Sequence, residues 1–254
     1  MNAFTRLANL IGLAAVIAVN ALAEWLPIGG KTTKELSDQN PVLVTPAGYA
    51  FSIWSLIYLL LVGFVIYQLL PAGRSRASVS RIGPWFMISC LLNIGWILTW
   101  HYEYVTSSGF VMLALLIVQI IIYLRVRTAS SYPTAGERWL VRLPFSLYLG
   151  WISVATIVNI AVVLHHEGWK GFGLSDVTWT VIVLSFAIVL ALAVDWSFRD
   201  AIYALVFVWA FVAIAAKQDG HSEIVTAAYI GAGVLAVSAL ATWFSAIRRQ
   251  HSSN

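Results

Sequence analysis

Twelve tryptophans in 254 residues are the part of this sequence best suited to chemistry, because an indole combines a flat polarisable face with one N–H donor. Trp54, Trp96, Trp151 and Trp209 lie well inside long apolar runs. There each ring can wall a site for a planar hydrophobic molecule, and each N–H wants an acceptor. For any one of the four, packing between helices is the simpler reading, since aromatic side chains fill apolar interiors without binding anything. Trp25, Trp85, Trp100, Trp139, Trp169, Trp179, Trp196 and Trp243 fall near the ends of apolar runs, where indoles anchor helices at the headgroup level of a bilayer.

Asn93, Gln119 and Asn159 are the polar residues deepest in apolar runs. Such groups either bond a neighbouring helix or line a cavity. No run carries a charge at its middle, which argues against proton coupling through intramembrane carboxylates and against a voltage sensor. His101, His165 and His166 stand at run ends. They read as surface residues, and adjacent histidines on a helix point in different directions and do not share an ion. The single cysteine, Cys90, excludes a disulfide framework and a cysteine-based metal site. HExxH, CxxC, a phosphate loop and a GxSxG elbow are all missing from the sequence. No metal site is assigned, no cofactor is required, and no hydrolytic constellation is visible.

The elements that must position these residues follow from composition. Sixty per cent of the chain is apolar and only 10% is charged, against roughly 25% charged in an ordinary globular protein. That excludes a soluble enzyme, a disordered adaptor and a nucleic-acid binder. The net charge of +4 reflects arginines that flank apolar runs and form no basic face. The lipid bilayer is the first partner. The sequence predicts an all-α, polytopic membrane helix bundle of eight transmembrane helices, over about 5–26, 47–70, 83–101, 105–126, 141–164, 177–194, 199–216 and 224–247. A polar turn, Asp195 to Asp200, joins the sixth and seventh.

Alternate loops carry very different charge. Arg6, Arg74, Arg76, Arg81, Arg125, Arg127, Arg138, Arg142, Arg199, Arg248 and Arg249 lie on the side that holds both termini, against Lys31, Lys34, Lys170 and Lys217 on the other. Basic residues are retained on the cytoplasmic side. The expectation is an integral protein of a bacterial cytoplasmic membrane with both termini cytoplasmic. The two longest non-apolar stretches are 27–45 and 127–140. The first is expected to be a lid over a cavity mouth, with Pro27, Thr45 and Pro46 as its marker residues.

The stretch Thr45-Pro46-Ala47-Gly48-Tyr49-Ala50-Phe51-Ser52-Ile53-Trp54-Ser55-Leu56-Ile57-Tyr58 resembles the hallmark of the translocator protein (TspO) family, the tryptophan-rich sensory proteins. Asn93-Ile94-Gly95-Trp96-Ile97-Leu98-Thr99-Trp100 resembles that family's third-helix pattern, an Asn with aromatics three and seven residues on. Trp151 followed by Ala155-Thr156 and Asn159 resembles its fifth-helix pattern. The resemblance covers about residues 5–165, giving a ligand-binding core over 1–165 and a three-helix membrane segment over 166–254. Departures are Ala47 in place of a second proline and Gln119 nearest to the family's fourth-helix acid.

The resemblance implies a five-helix bundle that binds a hydrophobic small molecule: a tetrapyrrole such as a porphyrin, a sterol-like lipid or a synthetic aromatic ligand. It places Trp54, Asn93, Trp96, Trp100, Trp151, Ala155 and Asn159 at the ligand-binding site. The spacing of Trp151 and Ala155 on one helix face agrees with that. The leading expectation is a membrane receptor or sensor. A light- and oxygen-dependent porphyrin-degrading enzyme, with Trp151 as the catalytic indole, and a transporter of a hydrophobic small molecule are the alternatives. Family relatives are often homodimers; the three additional spans favour a monomer here.

Overall fold

The computed structural model describes residues 1–26, 28–130 and 132–252, the side chains of 246–252 excepted. Among these residues the fold is all-helical, with no strand. In chain order the helices are α1 (Ala3–Trp25), α2 (Thr33–Asp38), α3 (Ile53–Leu69), α4 (Pro71–Arg74), α5 (Ala77–Ile82), α6 (Trp85–His101), α7 (Val105–Arg127), α8 (Ala135–Glu137), α9 (Leu143–His166), α10 (Asp176–Phe198), α11 (Ala201–Lys217) and α12 (Ser222–Ser252). Among the described residues, six helical stretches are long and apolar enough to cross a membrane; α6 and α11 are apolar too but have 17 residues each.

The chain forms two compact units. The first comprises 1–40 and 52–166, and the second 41–51 and 167–254. In the first, α1 packs on α6, α6 on α7, α7 on α9, α9 on α3 and α3 on α1, so five long helices close a ring. Large rings fill one level of it: Phe64, Phe86 and Phe145, from α3, α6 and α9, meet edge to face at 5.0–6.0 Å between centroids. Polar side chains fix the seams. Asn9 Nδ2 donates to Gln68 Oε1 at 3.0 Å between α1 and α3, and Ser78 Oγ donates to Glu137 Oε1 at 2.7 Å.

Two loops differ from expectation. The stretch 127–140 is helical from Ala135, because Thr134 accepts from the Glu137 N–H while the Glu137 carboxylate accepts from the Thr134 N–H and hydroxyl. The Thr-x-x-Glu spacing is the sequence signature of such a capping box. A π-helical turn, Arg138–Arg142, then leads into α9. It precedes Pro144, whose missing N–H and bulky ring disfavour a regular turn. The stretch 27–45 carries the same signature: Thr32 and Glu35 cap α2 reciprocally. Pro27 lies outside the described residues.

In the second unit α10, α11 and α12 pack pairwise. Ala201, Ala204 and Ala239 form a tight cluster of small residues there. The segment 41–51 belongs to this unit: the Ala47 N–H donates to the Ala213 carbonyl at 2.9 Å, and Trp209 Nε1 donates to the Ala50 carbonyl at 3.1 Å. The polar turn expected at Asp195 to Asp200 is shorter than that. α10 continues to Phe198, and only Arg199, at φ 51°, and Asp200 break the helix. Asp195 is drawn into the helix by Ser238 of α12, whose hydroxyl donates to Asp195 Oδ2 at 2.5 Å and accepts from Trp196 Nε1 at 2.9 Å.

Candidate functional site

The deep tryptophans of the first unit converge. Trp54 on α3 stacks on Tyr58 one turn later, at 5.4 Å between centroids. It also lies 6.4 Å from Trp96, 5.9 Å from Tyr148 and 6.4 Å from Trp151. Trp96 in turn stacks on Trp100 at 6.1 Å and 20°. Three helices therefore supply six rings: α3 by its i,i+4 pair, α6 by another, and α9 by an i,i+3 pair. Trp96, Trp100, Tyr148 and Trp151 are buried, while Trp54 and Tyr58 are half-buried.

A chain of amides borders the rings. Asn20 of α1 donates to its own helix at Val16 O and to Asn93 Oδ1 at 3.0 Å. Asn93 Nδ2 donates to the Tyr148 hydroxyl at 3.2 Å. Hydrogen bonding elsewhere in the cluster is incomplete. Among the described residues, the buried indole N–H groups of Trp96 and Trp100 have no hydrogen-bond partner. Leaving such groups unmet in an apolar interior costs about 1–3 kcal/mol each, so this is where a polar atom of another molecule would be bound most favourably.

The candidates from the sequence thus divide. Trp54, Trp96, Trp100 and Trp151 share ring contacts, and Asn93 joins them through Tyr148. Trp100 is buried beside Trp96, which corrects its reading as a headgroup anchor. Ala155 is half-buried one turn beyond Trp151. Asn159, two turns on, is turned to α7, where its amide donates to Ser108 Oγ at 3.3 Å. Trp209 lies in the second unit, edge-on to Tyr49 at 5.3 Å. Tyr58, Tyr148 and Asn20 were not singled out as site residues. Their helical spacing from Trp54 and Trp151 was the available signal for the two tyrosines; nothing in the sequence pairs Asn20 with Asn93.

The first loop seats on the end of α6. His101 corrects the expectation of a surface residue: it is 2% exposed, with Nδ1 at 2.9 Å from its own helix at Ile97 O and Nε2 at 3.4 Å from Thr33 Oγ1. Thr33 N donates to Glu24 Oε1 at 3.3 Å, and Lys31 pairs with Glu103 at 2.6 Å. Gly29 passes so close that a Cβ there would stand 2.5 Å from the His101 carbonyl oxygen, and its φ of 74° lies in the left-handed region that favours glycine. Residues 28–40 are thereby held one residue beyond Trp100. Thr45 and Pro46 are buried within the second unit. His165 and His166 are exposed, and no metal-binding group of His, Cys, Asp or Glu occurs among the described residues.

The sequence profile of the TSPO-like protein family matches residues 6–241. It runs through α10 and α11 and most of α12, well past the 5–165 over which the resemblance was recognised. No curated protein and no solved structure matches the chain. The chain belongs to the TSPO-like protein family and, with its long apolar helices, is an integral membrane protein.

Proposed function

We propose that this TSPO-like protein is a membrane receptor or sensor whose first unit binds a planar hydrophobic ligand, a tetrapyrrole or a sterol-like lipid, against the six-ring cluster. The observation that carries the reading is the combination of large flat surfaces with unmet polar atoms. Trp54, Trp96 and Trp151 offer ring faces and edges, while the N–H groups of Trp96 and Trp100 offer donors to a carboxylate or keto oxygen. Mainly apolar walls with a few convergent polar groups are the usual make-up of a small-molecule site. Residues 28–40, anchored through Thr33 and Lys31, would serve as the lid. Ala155 and Asn159 extend the α9 wall of the proposed site.

Intrinsic fluorescence tests this directly in nanodiscs. A porphyrin dicarboxylate should quench the tryptophans saturably. Trp96→Phe and Trp100→Phe, which keep a ring and remove the N–H, should weaken binding several-fold each, the effect of about 1 kcal/mol per hydrogen bond. Absence of any response to porphyrins and sterols would sink the reading. The stacked line Trp54, Trp96 and Trp100 favours porphyrin degradation as a second reading, in which indoles donate electrons under light and oxygen. If Trp151→Phe binds normally but abolishes light-dependent pigment loss, the enzyme reading replaces the receptor.

For topology we infer eight spans with both termini cytoplasmic, the eleven arginines against four lysines supporting it. α6 and α11, at 17 residues, sit at the short end of the roughly 17–25 that span a bilayer. In a Cys90→Ser background, cysteines at Lys34, Lys170 and Asp219 should label from one side of oriented vesicles and those at Ser75 and Arg199 from the other. Labelling of Arg199 and Asp219 from the same side would remove α11 as a span. A monomer is inferred from the helix count, and mass in nanodiscs checks it.

A further inference from the structure

Between residues 71 and 142 the chain carries seven arginines and two acids, Glu103 and Glu137. Both acids are engaged elsewhere, Glu103 with Lys31 and Glu137 with Ser78 and Thr134. Two of the arginines, both exposed, bond backbone carbonyls at the junction of α5 and α7. Arg81 Nη1 donates to the Thr128 carbonyl at 2.8 Å, and Arg125 Nη1 donates to the carbonyl of Arg81 itself at 3.1 Å. The Arg125 guanidinium also lies over the Trp85 ring, 5.4 Å from its centroid.

We propose that Arg81 and Arg125 clamp the phosphate of an anionic membrane phospholipid, with Trp85 beside the headgroup and the apolar faces of α6 and α7 along the acyl chains. Both side chains are tethered to neutral backbone acceptors at one helix junction, and neither has a carboxylate partner among the described residues. Each guanidinium has five N–H donors, so most remain for a ligand. Capping of the α7 C-terminus accounts for one N–H of Arg81. Retention of basic residues on one side of a membrane accounts for the sign of the charge. Capping of the α5 C-terminus, where Arg81 lies, accounts likewise for one N–H of Arg125, and the remaining donors above Trp85 are what a headgroup would meet.

The flanking surface selects a lipid over a free anion. Trp85 opens α6 and Arg125 lies in the last turn of α7. Nearby on the same helices, Ile88 and Leu91 on α6, and Ile120 and Leu124 on α7, are 37–58% exposed. Fixed cationic groups above a lipid-facing apolar surface match the two chemistries of a phospholipid, and basic pockets at the ends of membrane helices bind anionic headgroups.

The test measures lipid retained on the purified full chain by native mass spectrometry, after exchange into mixed anionic and zwitterionic phospholipids with identical acyl chains. The wild type should prefer the anionic lipid by roughly tenfold or more, given the contribution of each basic group near a membrane surface. R81Q/R125Q should abolish the preference, R74Q/R138Q should keep it, and R125K, which keeps charge but loses the planar fork, should fall between. Thermal unfolding of each variant separates lost binding from lost folding, and R125K carries the test if the double variant does not fold. An undiminished preference in R81Q/R125Q, or an equal loss in R74Q/R138Q, would overturn the clamp. Release of the lipid by excess inorganic phosphate would overturn the lipid as its occupant.

Discussion

Among α3, α6 and α9 the first unit buries whole indoles and phenols, Trp96, Trp100, Tyr148 and Trp151, whereas α10, α11 and α12 pack through many alanines, including Ala187, Ala191, Ala204, Ala210, Ala228 and Ala239, with rings confined to Tyr203, Phe207 and Phe211 of α11. The difference reflects two ways of building with helices in lipid. Without a hydrophobic driving force between helices, association comes from close packing, and small residues let backbones approach. The second unit uses that device and ties one oxygen of its most deeply buried carboxylate, Asp195, to Ser238. The first unit keeps its helices apart with rings and leaves polar atoms among them unmet. One unit is built for contact between helices; in the other the rings and open donors are what the proposed guest would use.

The largest test of that contrast is Trp151, 2% exposed. Trp151→Ala should destabilise the first unit by about 2–3 kcal/mol, below the ~3–5 of soluble cores, because lipid replaces water as the reference and mainly the cavity cost remains. Tetrapyrrole affinity should fall several-fold as about 1 kcal/mol of ring contact is lost, while Trp151→Phe keeps much of both. Unfolding in mixed detergent and fluorescence titration read the two effects, and an intact affinity in Trp151→Ala would place the guest elsewhere. In the second unit the damaging change runs the other way. Ala204→Leu forces three additional carbons into a fully packed position and should cost about 1–3 kcal/mol, with no effect on tetrapyrrole binding. A tolerated leucine would mean the helices are not closely packed.

Ser238→Ala is expected to act at the next level down. It strips the donor from Asp195 Oδ2 and the acceptor from Trp196 Nε1, a loss of about 1–2 kcal/mol for a buried group left unmet. Adding Asp195→Leu should restore much of it, because an apolar replacement needs no partner. Strict additivity in the double variant would show that the two side chains are not coupled. The smallest effect concerns α2. The Thr32 N–H and hydroxyl hold the Glu35 carboxyl below the usual glutamate range. Its contribution is therefore complete above the ordinary value of about 4.3 and is lost as pH falls through the lowered one. Amide exchange in residues 33–39, extrapolated to common intrinsic rates, should rise in that acidic window and stay flat above it. Exchange in Glu35→Gln that still changes with pH there would assign the effect to another group.

Long apolar runs made the helices legible, since nothing else satisfies the backbone in hydrocarbon. The ends were less so. Hydropathy places a boundary where charge begins, yet α10 carries Asp195 inside because Ser238 waits on a helix 43 residues away, and no local pattern reports that. The helices within loops were legible in principle, in Thr32 to Glu35 and Thr134 to Glu137. The ring contacts of Trp54, Trp96 and Trp151 involve residues that depth and motif single out, whereas Trp100 is singled out by the motif alone. His101 was misread because a run end was equated with the surface, whereas Thr33 and Gly29 cover it. The amide chain from Asn20 through Asn93 to Tyr148 depends on which helices are neighbours, and that is a property of the ring rather than of any segment.

Residues 41–51 precede most of the first unit in the chain but hydrogen-bond to Ala213 and Trp209 in the second. During synthesis this segment is exposed while α3, α6, α7 and α9 are made, and its acceptor on α11 arrives last. The second unit therefore completes itself only by reaching back to a stretch translated more than 160 residues earlier. A protein cut after His166 would strand that stretch without its partners, and a fragment starting at Glu167 would lack it. The chain divides by contact, but it cannot be divided by a single scissor stroke or assembled in strict order from its N-terminus.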